Sequence, residues 1–82
     1  MMYEVVGKER FTGNSKKTGK AYDFTRLYCQ LGEPVKTCIG NRTESIDIWA
    51  TANVDLDSIG VGSRIQVFYN KRGYVDTVDV ID

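Results

Sequence analysis

This chain consists of short runs of β-branched and aromatic residues separated by Gly, Asn and Asp, and no window of useful length keeps the 3.6-residue period of a helix. The pattern predicts an all-β chain with strands at 2–11, 21–31, 35–39 continuing to 46–51, 63–69 and 74–81, and with turns at 13–20, 32–34, 40–45 and 70–73. One helical turn is predicted around 54–59, with Asn53 or Asp55 as its cap and Gly60 at its end.

The length and the strand count together indicate the architecture. A chain of 82 residues has room for one domain, spanning 1–82, with one small core. Five short strands with Gly-rich corners predict a small five-stranded, OB-fold-like barrel with little or no helix, and an SH3-like barrel is the main structural alternative.

Alternation along three predicted strands separates an aliphatic face from a mixed aromatic and polar face. In the second strand, Leu27, Cys29 and Leu31 share one side, opposite Tyr22, Phe24, Arg26, Tyr28 and Gln30. The next two strands repeat the division, with Ile46, Ile48 and Ala50 set against Asp47, Trp49 and Thr51, and with Ile65, Val67 and Tyr69 set against Arg64, Gln66, Phe68 and Asn70. The aliphatic faces predict the core, and the mixed faces form a candidate functional surface.

The zero net charge hides an uneven distribution of charged residues. Residues 1–42 contain eight Lys or Arg and four Asp or Glu, whereas residues 43–82 contain three and seven. A local positive potential can attract a polyanion even when the total charge is zero. The basic half therefore remains compatible with a nucleic-acid partner.

A basic loop directly precedes an aromatic strand. Binding to single-stranded nucleic acid needs cations for the phosphates and flat side chains on which unpaired bases stack. The loop and the late hairpin at 70–73 supply cations, and the mixed faces supply rings. The predicted phosphate contacts are Arg10, Lys16, Lys17, Lys20, Arg26, Lys71 and Arg72, and the predicted stacking residues are Tyr22, Phe24, Tyr28, Trp49 and Phe68.

Two alternatives remain open at this point. The same cations and rings suit single-stranded RNA, because discrimination depends on contacts to the 2′-hydroxyl that no motif reveals. An interaction protein is the other alternative, in which Trp49 and Phe68 pack against a protein partner and the lysine loop is only a solvated hairpin tip.

Enzymatic and metal chemistry have little support in the sequence. The stretch GNSKKTGKA, residues 13–21, has five residues between its glycines where a phosphate-binding P-loop needs four, and Ala21 takes the place of the required Ser or Thr. Histidine is absent, so the serines and the two cysteines have no imidazole base and no four-ligand zinc site is predicted. We expect no catalytic residue, no metal and no cofactor. Cys29 and Cys38 are expected to be free thiols, with a disulfide or redox pair as the alternative.

The stretch GNSKKTGKAYDFTRLYCQLG, residues 13–32, resembles the single-stranded DNA-binding proteins of filamentous phages, the gene V protein family. The shared elements are a Ser with basic residues in a hairpin loop, then Gly-Lys-x-Tyr, then a strand with adjacent Tyr and Cys that closes at Gly. The resemblance implies an OB-like fold and a homodimer that coats single-stranded DNA without sequence preference. By position, it implies DNA contacts foremost at Lys16, Lys17, Lys20 and Tyr22, and secondarily at Phe24 and Tyr28.

Targeting signals are not evident in the sequence. The start, MMYEVVGKER, lacks the basic and then apolar pattern of a secretion signal, and no run approaches the roughly 18 apolar residues of a membrane span. We expect a cytoplasmic protein that acts in replication, recombination, or phage or plasmid biology.

Overall fold

The computed structural model describes residues 2–33 and 35–81. The order of elements is β1 (Met2–Asn14), β2 (Ala21–Leu31), β3 (Thr43–Trp49), a 3-10 turn (Leu56–Ser58), β4 (Arg64–Tyr69) and β5 (Val75–Val80). The all-β class and the five strands are therefore confirmed. No helix among the described residues is long and apolar enough to cross a membrane.

The five strands form one antiparallel sheet in the order β3-β2-β1-β4-β5. β1 and β2 form a long hairpin, and its ladder continues to the pairing of Asn14 with Ala21. β3 and β5 are the two ends of the sheet, and no ladder joins them within the described residues, so the predicted closure into a barrel is not observed. The segment that follows β3 covers the core instead, since Ala52, Val54 and Leu56 pack against it and Ile59 belongs to it.

The core follows the predicted aliphatic faces. Its fully buried side chains include Leu27 and Cys29 from β2, Ile48 from β3 and Ile65 from β4. Burying a side chain of this size contributes about 1.5 to 3 kcal/mol, so these few residues supply much of the stability of a small domain. Two residues predicted for the same faces lie at strand ends and stay exposed: Ala50, just beyond β3, and Tyr69, which is 52% exposed at the end of β4.

Two β-bulges change which residues share a face. On β1, Val5 pairs with Cys29 and Gly7 pairs with Tyr28, so Val6 has no partner on β2. On β5, Thr77 pairs with Phe68 and Val75 pairs with Tyr69, so Asp76 has no partner on β4. Because an unpaired extra residue shifts the alternation by one position, every side chain beyond a bulge moves to the other face.

Two local predictions have different outcomes. The helical turn is confirmed as the 3-10 turn Leu56–Ser58, where the Asp55 carboxylate accepts a hydrogen bond from the Asp57 backbone N–H. The predicted strand at 35–39 is wrong, because these residues form turns and bends. The predicted turn at 32–34 ends at Pro34, which lies outside the described residues.

Candidate nucleic-acid interface

Three aromatic side chains lie opposite one another across β1, β2 and β3. The cross-strand register pairs Phe11 with Phe24 and Phe24 with Trp49. The Phe11 and Phe24 rings stack with centroids 5.1 Å apart and an interplanar angle of 18°, and the Phe24 and Trp49 centroids are 5.0 Å apart. Tyr22 extends the group, with its ring centroid 6.1 Å from that of Phe24. We call Phe11, Tyr22, Phe24 and Trp49 the aromatic row.

Phe11 is the member of this row that the sequence reasoning missed. Uninterrupted alternation along β1 places Phe11 on the same face as Tyr3 and Val5, which are buried. The bulge at Val6 reverses the alternation and brings Phe11 to the outer face, opposite Phe24. A glycine inside a strand often marks a bulge, so Gly7 was the available signal.

Two glycines of β1 lie beneath tyrosines of β2. A Cβ added to Gly13 would stand 2.7 Å from the Tyr22 hydroxyl oxygen, and one added to Gly7 would stand 3.2 Å from a ring carbon of Tyr28. Both tyrosine rings therefore lie across the neighbouring strand where it has no side chain. This packing holds Tyr22 in place at the base of the lysine loop while leaving it 37% exposed.

Arg26 supports the aromatic row and is itself paired. Its Nε and Nη2 donate hydrogen bonds to the two carboxylate oxygens of Asp47 at 2.7 and 3.2 Å. Its guanidinium carbon lies 5.1 Å from the Phe11 centroid and 5.6 Å from the Phe24 centroid, within cation–π range. The hydrogen bonds to Asp47 raise the pKa of Arg26. Arg26, which was predicted to contact a phosphate, instead forms an ion pair with Asp47 and lies against the Phe11 and Phe24 rings.

Arg10 lies on the other face of the hairpin. It pairs in register with Thr25, which is buried on the core side, so its side chain leaves the strand away from the aromatic row. Arg10 donates two hydrogen bonds to the carboxylate of Asp23, at 3.0 and 2.7 Å. The structure therefore does not bring Arg10 together with the aromatic row.

The loop of residues 15–20 is a closed turn at the tip of the β1–β2 hairpin. The backbone N–H of Ser15 donates to the Lys20 carbonyl at 2.8 Å, and that of Gly19 donates to the Ser15 carbonyl at 2.7 Å. Gly19 has a φ of 68°, in the left-handed region that glycine adopts without strain. The turn presents Lys16, Lys17 and Lys20, which are all exposed. Within the described residues, neither of the two ion pairs involves a lysine of this loop.

The hairpin between β4 and β5 also has a hydrogen-bonded tip, and it lies beside Trp49. Asn70 organises its tip, because its side-chain oxygen accepts hydrogen bonds from the backbone N–H groups of Arg72 and Tyr74. An open cavity of about 690 Å³ is lined by Trp49, Thr51, Ala52, Asn53, Asn70, Tyr74, Val75 and Asp76. The predicted cations Lys71 and Arg72 belong to the turn between Asn70 and Tyr74, which both line this cavity with Trp49.

The two remaining predicted stacking residues, Tyr28 and Phe68, are not part of the aromatic row. Tyr28 is on the same outer face, but its hydroxyl donates a hydrogen bond to the Glu9 carboxylate at 2.8 Å, which raises the pKa of Tyr28. Phe68 faces outward from β4, opposite Thr77, and is 42% exposed. Among the described residues, no aromatic ring pairs with Phe68.

Among the described residues, the cysteines and the acidic side chains form neither a disulfide nor a metal cluster. Cys29 and Cys38 are both free, and burial followed by the nearby Glu44 charge raises the pKa of Cys29 to about 11. The described residues contain no cluster of three or more Cys, Asp or Glu side chains that could hold a metal ion.

No known protein family, curated protein sequence or solved structure matches this chain.

Proposed function

We propose that this protein binds single-stranded DNA with little sequence preference. The observation that carries the proposal is the aromatic row, which ends beside one lysine-bearing turn at Tyr22 and beside a second cation-bearing turn at Trp49. Binding of single-stranded nucleic acid needs cations and aromatic rings close together, because the cations contact the phosphates while the bases stack on the rings. In OB-type sheets, the face of strands 2 and 3 and the loops between strands 1 and 2 and between strands 4 and 5 serve this purpose, and the row and the two turns occupy corresponding positions.

The chemistry divides between the turns and the strands. Lys16, Lys17 and Lys20 would contact phosphates at one end, and Lys71 and Arg72 would do so at the other. Tyr22, Phe24 and Trp49 would stack on bases between them, with Phe11 buttressing Phe24 from β1. Stacking contributes about 1 to 3 kcal/mol per base and tolerates any sequence, because every base has a π-face.

Arg26 has a supporting part in this proposal. Because its guanidinium is hydrogen-bonded to Asp47 and lies against two rings, Arg26 would stabilise the aromatic row and would not contact a phosphate. The salt dependence of binding would then come from the lysines of the 15–20 turn and the cations of the late hairpin. A slope of about 0.7 per phosphate contacted is typical of single strands.

The experiment is a titration of fluorescently labelled strands, monitored by anisotropy at two salt concentrations. Three probes of about 16 nucleotides are compared, oligo(dT), oligo(rU) and a duplex, because OB-type sites span about 4 to 16 nucleotides. We expect oligo(dT) to bind and to weaken as salt rises, and the duplex to bind less well because its base faces are hidden. Tighter binding to oligo(rU) would make RNA the ligand. No binding to any single strand at low salt would refute the proposal and leave a protein partner for the exposed aromatics.

A homodimer, which the resemblance implies, is proposed together with this function. β3 and β5 form the ends of the sheet, and the outer edge of such a strand presents backbone groups that can pair with a second chain. Sedimentation equilibrium of the chain with and without oligo(dT) measures the mass directly. A monomer under both conditions would contradict this part of the proposal.

A further inference from the structure

Asp76 occupies an unusual position beside the aromatic row. It is the bulged residue of β5, without a partner on β4, and bulges commonly redirect a side chain near a binding site. Asp76 is exposed and is one of the residues that line the cavity beside Trp49 and Tyr74. The two ion pairs of the described residues join Arg10 to Asp23 and Arg26 to Asp47, so neither neutralises Asp76.

The other walls of this cavity are aromatic, apolar, amide and hydroxyl residues. Trp49 is 41% exposed and Tyr74 is 55% exposed, so both rings offer surface to a ligand, and the buried Val75 lies between Tyr74 and Asp76 in the chain. Asn70 uses its side-chain oxygen for the backbone of the hairpin, which leaves its Nδ2 hydrogens as donors. The cavity therefore combines stacking surfaces with one acceptor-only carboxylate, two amides, from Asn53 and Asn70, and the Thr51 hydroxyl.

A base fits this chemistry better than a phosphate does. A carboxylate repels a phosphate, and it accepts two parallel hydrogen bonds from a group that carries two adjacent N–H donors. Guanine has such a pair, N1–H and the N2 amino group, with the O6 acceptor beside them. Adenine, cytosine and thymine each lack two adjacent donors on that edge.

We propose that the cavity between Trp49 and the β4–β5 hairpin accepts one guanine base, which stacks on the rings and donates hydrogen bonds from N1 and N2 to Asp76. The Nδ2 group of Asn70 would donate to O6. This inference rests on the proposed function, since the base belongs to a strand that crosses the aromatic row. It adds one preferred position to a surface that is otherwise indifferent to sequence.

The test measures the affinity of the intact chain for labelled oligo(dT) in which one central thymine is replaced by guanine, hypoxanthine, adenine or cytosine. A single replacement in a thymine strand prevents guanine from assembling into four-stranded structures. We expect the guanine strand to bind about fivefold or more tighter than oligo(dT), the lower end of what a bidentate base contact gives. Hypoxanthine retains N1–H and O6 but lacks the N2 amino group, so most of the gain should disappear with that base.

Two variants assign the preference to Asp76. Asp76→Asn should remove the guanine preference, and Asp79→Asn, which changes the same charge at an exposed position of the same strand outside the cavity, should keep it. Equal binding of the guanine strand and oligo(dT) by the unmodified chain would overturn this inference while leaving the proposed function intact. A guanine preference that persists in Asp76→Asn would also overturn it. No binding to any strand would refute the proposed function and the inference together.

Discussion

Replacing Phe24 with alanine should destabilise the fold far more than replacing Phe68, although both phenylalanines face outward from a strand. The Phe24 ring has neighbours in three directions, with centroids 5.1 Å away at Phe11, 6.1 Å at Tyr22 and 5.0 Å at Trp49. Aromatic pairs contribute about 0.5 to 1.5 kcal/mol each beyond their buried area, so Phe24→Ala should lower the free energy of unfolding by about 1.5 to 4.5 kcal/mol. That is a large share of the roughly 4 to 12 kcal/mol expected for a chain of this length.

Phe68→Ala is the matched control for this prediction. The Phe68 ring is 42% exposed and pairs with no other ring among the described residues, so its loss should cost less than about 1 kcal/mol. Urea unfolding followed by far-UV circular dichroism measures both variants without depending on the Trp49 signal, which the Phe24 change itself alters. Equal destabilisation by the two substitutions would mean that the rings of the aromatic row do not pack together in solution. The proposed interface would then be wrong.

Three further predictions test the loop, the row and the core. The double variant Lys16→Ala with Lys17→Ala should weaken oligo(dT) binding and reduce the slope of its salt dependence by about 1.4, which is twice the single-strand value per phosphate. The control Lys36→Ala, beyond the opposite end of β2, should change neither the affinity nor the slope. An unchanged slope in the double variant would mean that the loop is only a hairpin tip. Tyr22→Ala should weaken binding by about 1 to 3 kcal/mol while the circular dichroism spectrum is kept, and normal affinity in that folded variant would exclude Tyr22 from the site. Because the pKa of Cys29 is raised from 9.0 to about 11, the folded state favours the neutral thiol. The free energy of unfolding should therefore fall as pH rises from 9 to 11. An identical pH dependence in Cys29→Ala would contradict the assignment of this effect to Cys29.

The sequence predicted the parts of the fold that depend on local alternation. Leu27, Ile48 and Ile65 were assigned to the core because each lies on a regular aliphatic face, and all three are buried. The 3-10 turn was predictable because the Asp55 cap acts locally. The strand predicted at 35–39 does not form, because the local alternation there is not matched by burial, and Ile39 is fully exposed.

The candidate site was predictable in composition but not in geometry. The alternation along β2 and β3 was enough to assign Phe24 and Trp49 to a common type of face, and composition was enough to identify the lysine turn. The placement of Phe11 and Asp76 depends on two bulges, and a bulge becomes visible only when the strands are paired. The pairing of Arg26 with Asp47 likewise depends on the register between β2 and β3, which places the two residues directly opposite each other.

Quenching of Trp49 fluorescence shows most directly whether bases of a single strand reach the aromatic row. Trp49 is the chain's sole tryptophan and lies where the row meets the cavity, so its emission reports this surface alone. We predict that oligo(dT) quenches Trp49 saturably, with the same affinity that anisotropy gives, and that added salt reverses the quenching. If oligo(dT) binds by anisotropy but leaves the Trp49 emission unchanged, bases do not stack at this end of the row and the proposed interface is wrong.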